Sequence, residues 1–213
     1  MIALLGGTFD PVHNGHLHAA NSAVVALDVA RVNLVLAARP KHRAAPSASI
    51  GHRWAMLRLA VADQPRLRAD DREIRRGNAT YTIDTLESVR REAHADEPIV
   101  WLLGWDAYRA LPTWHRWNEL STFAHLAVLQ RPGADESLDE TMREFTDQRR
   151  VDDRGELART PAGRVYFVAA PMQATSSTEI RAKLARGDDV RQLLPSAVWT
   201  YITNHRLYGE RTS

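Results

Sequence analysis

The chain has 213 residues, enough for one large domain, and its 44% hydrophobic and 25% charged residues exclude a disordered or fibrous chain. It has no cysteine, which excludes disulfides, thiolate nucleophiles and cysteine-based zinc sites. The net charge is only +2, and the pI of about 9.2 reflects few groups titrating just above neutrality, lysine occurring only at Lys41 and Lys183, so no basic block marks a nucleic-acid binder.

Residues 2–5 are a short apolar run stopped by Gly6 and Gly7, which predicts a buried strand entering a tight turn. Residues 16–29 carry Ala, Val and Leu at helical spacing, with Asn14 as the expected N-cap. Residues 31–38 are β-branched and apolar, so the chain opens as a βαβ unit. Residues 39–49, with Pro40 and Pro46, read as a loop, 51–63 as helix, 67–74 as extended chain and 83–93 as helix. A third apolar strand is expected at 98–103, ending in Gly104-Trp105-Asp106. A tryptophan-rich turn around 112–117 precedes strands at 125–129 and 165–169, and the remainder is helical to near residue 208. The polar stretch 133–163 is expected to be a variable insertion or mobile flap, and 209–213 a tail.

This alternation predicts the α/β class, with a doubly wound, Rossmann-like parallel sheet in a single domain over 1–208 and a helical C-terminal part. No run reaches the roughly 20 apolar residues of a membrane span, and the first residues lack the basic start and apolar core of a secretion signal. A cytoplasmic protein is expected, with neither nucleic acid nor membrane as partner; a homo-oligomer is left open. In open parallel sheets, ligands bind beyond the carboxyl ends of the strands, where the strand order reverses. Segments 6–16, 104–106 and 175–181 sit at such ends.

The first segment reads Gly6-Gly7-Thr8-Phe9-Asp10-Pro11-Val12-His13-Asn14-Gly15-His16. The glycines allow a backbone approach that a Cβ would block, and the following helix offers free N–H groups to an anion. His13 and His16 lie three apart across Gly15, so both rings face one phosphate from the helix entrance. A Gly-Gly turn after a strand is usually only a turn, but two histidines flanking glycine at a strand-to-helix junction are harder to explain as ordinary surface. A zinc site on His13, His16 and His18 would lack a signature such as H-E-x-x-H, and no metal ligand is assigned. Neither a G-x-x-x-x-G-K-[ST] loop nor G-x-G-x-x-G is present. In the last segment, Ser176 and Glu179 stand in the relation of a capping box, which predicts a helix start. That leaves Ser177, Thr178 and Arg181 to form a second anion cradle, and two cradles suit a triphosphate.

The run G-G-T-F-D-P-V-H-N-G-H with a distant S-S-T-E-I-R resembles the nucleotidylyltransferase superfamily, marked by H-x-G-H and S-S-T-x-I-R elements. Within it the chain is similar to the bacterial nicotinate-nucleotide adenylyltransferases. The similarity rests on Thr80-Tyr81-Thr82, Gly104-Trp105-Asp106, Leu111-Pro112-Thr113-Trp114, Arg131-Pro132, Leu194-Pro195 and the ending from Tyr201-Ile202 to Leu207-Tyr208. It runs from residue 1 to about 208. Lys41 stands where that family commonly has Pro, and Trp105 where it often has a small or polar residue.

The resemblance implies adenylyl transfer from ATP to nicotinate mononucleotide, giving deamido-NAD and pyrophosphate, with Mg²⁺ accompanying ATP. It assigns His16, His13 and Arg181 to catalysis. Gly6, Thr8 and Phe9 would line the nucleotide side, Gly104 and Asp106 would lie near the sugar, and Ser176 and Ser177 would join Arg181 on the β- and γ-phosphates. Thr80, Tyr81, Thr82 and Trp114 would form the pyridine pocket, with His42 and Arg43 as further phosphate contacts. Trp54, Trp101 and Trp199 have a sufficient explanation in the core. Pantetheine-phosphate adenylyltransferase shares both signature elements but would leave Thr80-Tyr81-Thr82 and Trp114 unexplained. The same elements would also serve an adenylyltransferase acting on nicotinamide mononucleotide, or a nucleotide sensor without turnover.

Overall fold

The computed structural model describes residues 1–40, 45–77, 81–130, 137–168 and 175–209. Seven strands form one parallel sheet: β1 (Ile2–Gly7), β2 (Val32–Leu36), β3 (Leu67–Asp70), β4 (Ile99–Gly104), β5 (His125–Leu129), β6 (Arg150–Val151) and β7 (Val165–Val168), in the order β3-β2-β1-β4-β5-β7-β6. The chain winds outward from β1 through β2 to β3, then returns to lay β4 on the other side of β1. That reversal puts the switch point between β1 and β4, beyond Gly6, Gly7 and Gly104.

Alternate strand residues point to opposite faces, and each face has its own core. Ala3, Leu5, Val100, Leu102, Ala127 and Leu129 pack with α1 (Asn14–Ala26), α2 (Ile50–Val61), α8 (Ser177–Ala185) and α9 (Ser196–Asn204). Leu4, Ile99, Trp101, Leu103, Leu126 and Val128 pack with α4 (Thr82–Glu92), α5 (Trp105–Arg109), α6 (Leu120–Phe123) and α7 (Glu140–Asp147). The doubly wound α/β architecture is thus present, with helices covering both sides. No helix of the described residues is long and apolar enough to cross a membrane.

Local expectations were displaced in identifiable places. Residues 67–74 were expected extended throughout; β3 stops at Asp70 and α3 (Arg72–Arg76) begins, because the Asp70 carboxylate accepts from both the backbone N–H and the Nε of Arg72. The N-cap of α1 is His13, and Asn14 is already helical, its side-chain amide donating to the Gln192 carbonyl. The sheet has two more strands than the apolar runs indicated. Of the stretch 133–163, the described part from 137 onward builds α7 and the two-residue β6, and it buries Met142, Phe145 and Leu157. Trp105, the departure from the family pattern, is buried and stands 6.0 Å from the rings of Tyr108 and Phe167, so it extends the core below α5.

Candidate active site

Beyond β1 the backbone is shaped by two glycines at which any side chain would force a neighbouring aromatic ring to move. A Cβ on Gly6 would collide with the Trp101 indole, and one on Gly7 would lie 2.7 Å from the Phe9 ring. Phe9 itself takes the left-handed conformation, φ 48°, which folds its ring back into the core and against the edge of His16 at 5.0 Å. Phe9 was expected to line the nucleotide side; it is buried, and its contact is with the histidine.

His13 and His16 meet at the head of α1, ring centroids 3.7 Å apart and tilted by 31°. The His13 backbone N–H donates to Nδ1 of His16 at 3.3 Å, so the neutral His16 ring carries its proton on Nε2, as a donor. Nδ1 of His13 is buried and has no hydrogen-bond partner. Burial pushes His13 down to about 4, and burial together with the neighbouring His13 ring holds His16 well below the ordinary histidine range. Both rings are therefore neutral near pH 7, with a nitrogen still wanting a partner. Gly15 completes the arrangement, since a Cβ there would stand 3.0 Å from His13 Nδ1.

Asp10 organises the segments around this pair. It is buried, and its carboxylate accepts from the backbone N–H groups of Ser47 (2.6 Å) and Ala48 (3.1 Å) and from the Tyr208 hydroxyl (2.7 Å). Burial and the Asp10 carboxylate both raise the Tyr208 phenol, keeping it protonated as that donor. Arg181 reaches the same loop from α8. Its guanidinium donates to the Asp10 backbone carbonyl at 2.7 Å and to the Thr178 hydroxyl at 3.3 Å, and the Asp10 carboxylate lies 4.0 Å away. Ser177 donates its hydroxyl to the Pro11 carbonyl at 2.9 Å, while Ser176 accepts from the Glu179 N–H as the helix cap. Both serine hydroxyls thus serve the backbone, and α8 with its arginine is fastened to the β1–α1 loop.

A cleft opens beside this loop, lined by Gly6, Gly7, Thr8, Ala37, Glu73, Thr82, Trp101 and Trp114 among others. Its rim is held by Arg53, 1% exposed, whose guanidinium donates to the carbonyls of Thr8 (3.0 Å), Ala37 (2.7 Å), Ala38 (2.8 Å) and Ala48 (3.2 Å). One buried side chain thereby joins the ends of β1 and β2 to the start of α2. Glu73 is also buried; its carboxylate accepts from the Thr85 hydroxyl at 2.6 Å and from the Ala38 N–H at 3.3 Å. Tyr81 is the N-cap of α4 without a side-chain capping bond, and its ring stands 4.5 Å from that of His115.

The structure brings together Gly6, Thr8, His13, His16, Ser177 and Arg181 around the loop, and Thr82 and Trp114 in the adjoining cleft. Gly104 caps α5, and Asp106 lines a separate depression with Arg109 and Asp139 instead of the cleft. His42, Arg43 and Thr80 lie outside the described residues. Trp101 is core, as expected, but its indole is also a wall of the cleft, which the apolar run around it gave no reason to suspect. Asp10, Arg53 and Glu73 were missed as well; the partners that bury them lie mostly far along the chain, so no local pattern marks them. Among the described residues no three His, Asp or Glu groups gather as a metal site.

A family model described as Cytidylyltransferase-like matches residues 4–183. A Pseudomonas fluorescens protein named "Probable nicotinate-nucleotide adenylyltransferase" is 47% identical over 207 residues, covering 97% of this chain and 96% of its own. The Hahella chejuensis protein of the same name is 42% identical, with 98% and 95% covered. In fold, the chain is similar to the Plasmodium falciparum nicotinic acid mononucleotide adenylyltransferase complexed with NaAD, at a TM-score of 0.74 and 17% identity over 97% of this chain and 96% of that one. With its histidine pair at the sheet's switch point and a match extending over most of its length, the chain belongs to the cytidylyltransferase-like family.

Proposed function

We propose that this chain is a cytoplasmic nicotinate-nucleotide adenylyltransferase, transferring the adenylyl group of ATP to nicotinate mononucleotide. The observation that carries the reading is the His13–His16 pair: two neutral rings with unspent nitrogens, held at a helix head where a phosphate chain would meet free N–H groups. The relatives' names, at 42–47% identity over nearly the whole chain, support the choice of substrates.

The phosphate oxygen of the mononucleotide attacks the α-phosphorus in line, a P–O bond forms, and the bond to the bridging oxygen of the β-phosphate breaks. Pyrophosphate leaves with the electron pair. No protein nucleophile takes part, so the work is positioning and charge stabilisation. His16 donates Nε2–H to the transferring phosphoryl group, and His13 contacts the neighbouring phosphate. The incoming polyanion raises both rings toward protonation, which strengthens them as donors. Arg181, with the N–H groups of Ser176 and Ser177 at the head of α8, holds the β- and γ-phosphates. Gly6, Thr8 and Phe9 border the nucleotide, the last through His16, with Gly104 and Asp106 toward the sugar. Tyr81, Thr82 and Trp114, with Thr80, receive the pyridine ring, and His42 and Arg43 add phosphate contacts. Asp10, the buried carboxylate of the histidine-bearing loop, already has three donors, so Mg²⁺ fits as a companion of ATP held mainly by phosphate oxygens. When bound it neutralises charge on the phosphates.

Pyrophosphate release with ATP and a panel of acceptors tests the reading. Turnover with nicotinate mononucleotide is expected at a kcat/KM at least about tenfold above that with the amide. The positive end of α4 favours a carboxylate, and an amide leaves a buried donor unpaired at a cost of about 1–3 kcal/mol. Equal use of the two, or preference for phosphopantetheine, would overturn the substrate assignment. Absence of turnover with all acceptors would favour the sensor.

A further inference from the structure

Two cations stand near the buried Asp10 carboxylate, and they differ in freedom. Arg53 is spent on four backbone carbonyls and fixed among them. Arg181 is partly exposed and donates to the Asp10 carbonyl and the Thr178 hydroxyl, and its remaining N–H groups have no partner among the described residues. It stands 4.0 Å from Oδ2 of Asp10, beyond hydrogen-bond reach. That carboxylate is instead completed by neutral donors: the Ser47 N–H on Oδ2, and the Ala48 N–H and the Tyr208 hydroxyl on Oδ1. The phenol is the one side-chain donor among them. The chain passes through the left-handed region at Arg206 (φ 50°) and Tyr208 (φ 64°), which side chains rarely adopt, and there delivers the phenol to Asp10.

We infer that Tyr208 is a positioning residue for ATP: by donating to Asp10 it keeps Arg181 from closing an ion pair with that carboxylate, and so leaves the guanidinium to the β- and γ-phosphates. The inference rests on the proposed adenylyl transfer, in which Arg181 holds those phosphates, and deepens it. A buried carboxylate short of a donor draws on whatever cation can move. Arg53 cannot leave its four carbonyls, whereas a shift of about an ångström would bring Arg181 into contact with Asp10. A guanidinium paired in that way is turned from the phosphates and has part of its charge neutralised.

The test is equilibrium binding of ATP and of AMP, which lacks the β- and γ-phosphates, to wild type and to Tyr208→Phe, which removes only the hydroxyl. Tyr208→Phe should weaken ATP by about fivefold and leave AMP within about twofold. A merely structural role, loosening the whole loop, would weaken the two alike, and the comparison within one sample does not depend on how much of a destabilised variant is folded. A double-mutant cycle in ATP alone gives a second reading. In an Arg181→Ala background, itself weaker for ATP, Tyr208→Phe should cost less than about twofold, because the guanidinium through which it acts is gone. Equal losses for ATP and AMP, no loss at all, or the same loss with and without Arg181 would overturn the inference, and turnover of nicotinate mononucleotide by wild type would leave adenylyl transfer standing. A selective loss of ATP in a protein without turnover would uphold the role of Tyr208 and overturn adenylyl transfer. Failure of wild type to bind ATP would overturn both.

Discussion

Among the described residues two pairs of histidine rings stand together, and their surroundings could hardly differ more. His52 and His205 meet edge-on at 5.4 Å between α2 and the end of α9, with Tyr201 against both. The Tyr201 hydroxyl lies 3.0 Å from Nδ1 of His52, and its backbone carbonyl lies 2.9 Å from Nδ1 of His205. Each ring there has a partner for the nitrogen it turns inward, and His205 is exposed. His13 and His16 are closer, at 3.7 Å, and lie where the strand order reverses. One buried nitrogen has no partner, and the other ring is held by a backbone N–H so that its donor nitrogen remains unspent. Burying a polar atom without a partner costs about 1–3 kcal/mol, a cost that persists in a fold when a ligand recovers it. The satisfied pair closes a helix contact; the unsatisfied pair is the one proposed to meet phosphate.

The largest expected effect is the loss of one ring from the second pair. His16→Ala should lower kcat by about 10²-fold or more in a folded protein, as removal of a preorganised donor to developing charge does elsewhere. His205→Ala should leave kcat within about twofold. Steady-state rates alongside circular dichroism measure both, and similar losses from the two substitutions would erase the distinction between the pairs.

Next is the pH dependence of stability. His13 titrates at about 4 in the folded protein and near 6.5 when unfolded, so the unfolded chain takes up a proton first as the medium is acidified. The stability contributed by the neutral ring is complete above about pH 6.5 and declines as pH falls toward 4, by roughly 3 kcal/mol for a shift of this size. Thermal unfolding of wild type and His13→Asn between pH 7 and 4 should diverge, with wild type losing more stability. Parallel curves would show that the ring is not held neutral by burial.

The smallest effect sharpens the geometry. In Gly15→Ala, the new methyl would stand 3.0 Å from His13 Nδ1, so the ring must give way by a few tenths of an ångström. Alanine is worth up to about 1 kcal/mol over glycine inside a helix, so stability should hold or rise. Activity should fall about tenfold, mainly in kcat, because the phosphate contact is misplaced. Full activity in Gly15→Ala would mean that the ring's exact position carries no catalytic weight.

Much of the site was legible because it is local. A strand stopped by Gly6-Gly7, two histidines one helical turn apart and a serine three before Glu179 each announce themselves within a few residues. The two-faced sheet was legible from the alternation of strands and helices, since each parallel connection needs a crossover of some length. Less legible was anything set by partners far along the chain. Arg53 in a helix of Ala, Leu and Met looks like an exposed position, and only the convergence of four carbonyls makes it a buried clamp. Residues 137–163 are polar enough to suggest a flap, yet Met142, Phe145 and Leu157 suffice to seat them on the sheet's edge.

By itself the sequence determined the fold class, the glycine-shaped loop that carries the histidine pair and the helix heads that flank it, because periodicity, glycine freedom and capping act over one or two turns of chain. Tertiary structure alone decided that Trp101, on the strand beside β1, lies over Gly6 and walls the cleft, since Leu4 pairs with Trp101 in the sheet register. It also decided that Tyr208, 198 residues from Asp10, supplies the third donor to that carboxylate. Strand order and register answer to the packing of both cores at once, and no window of neighbouring residues contains that sum.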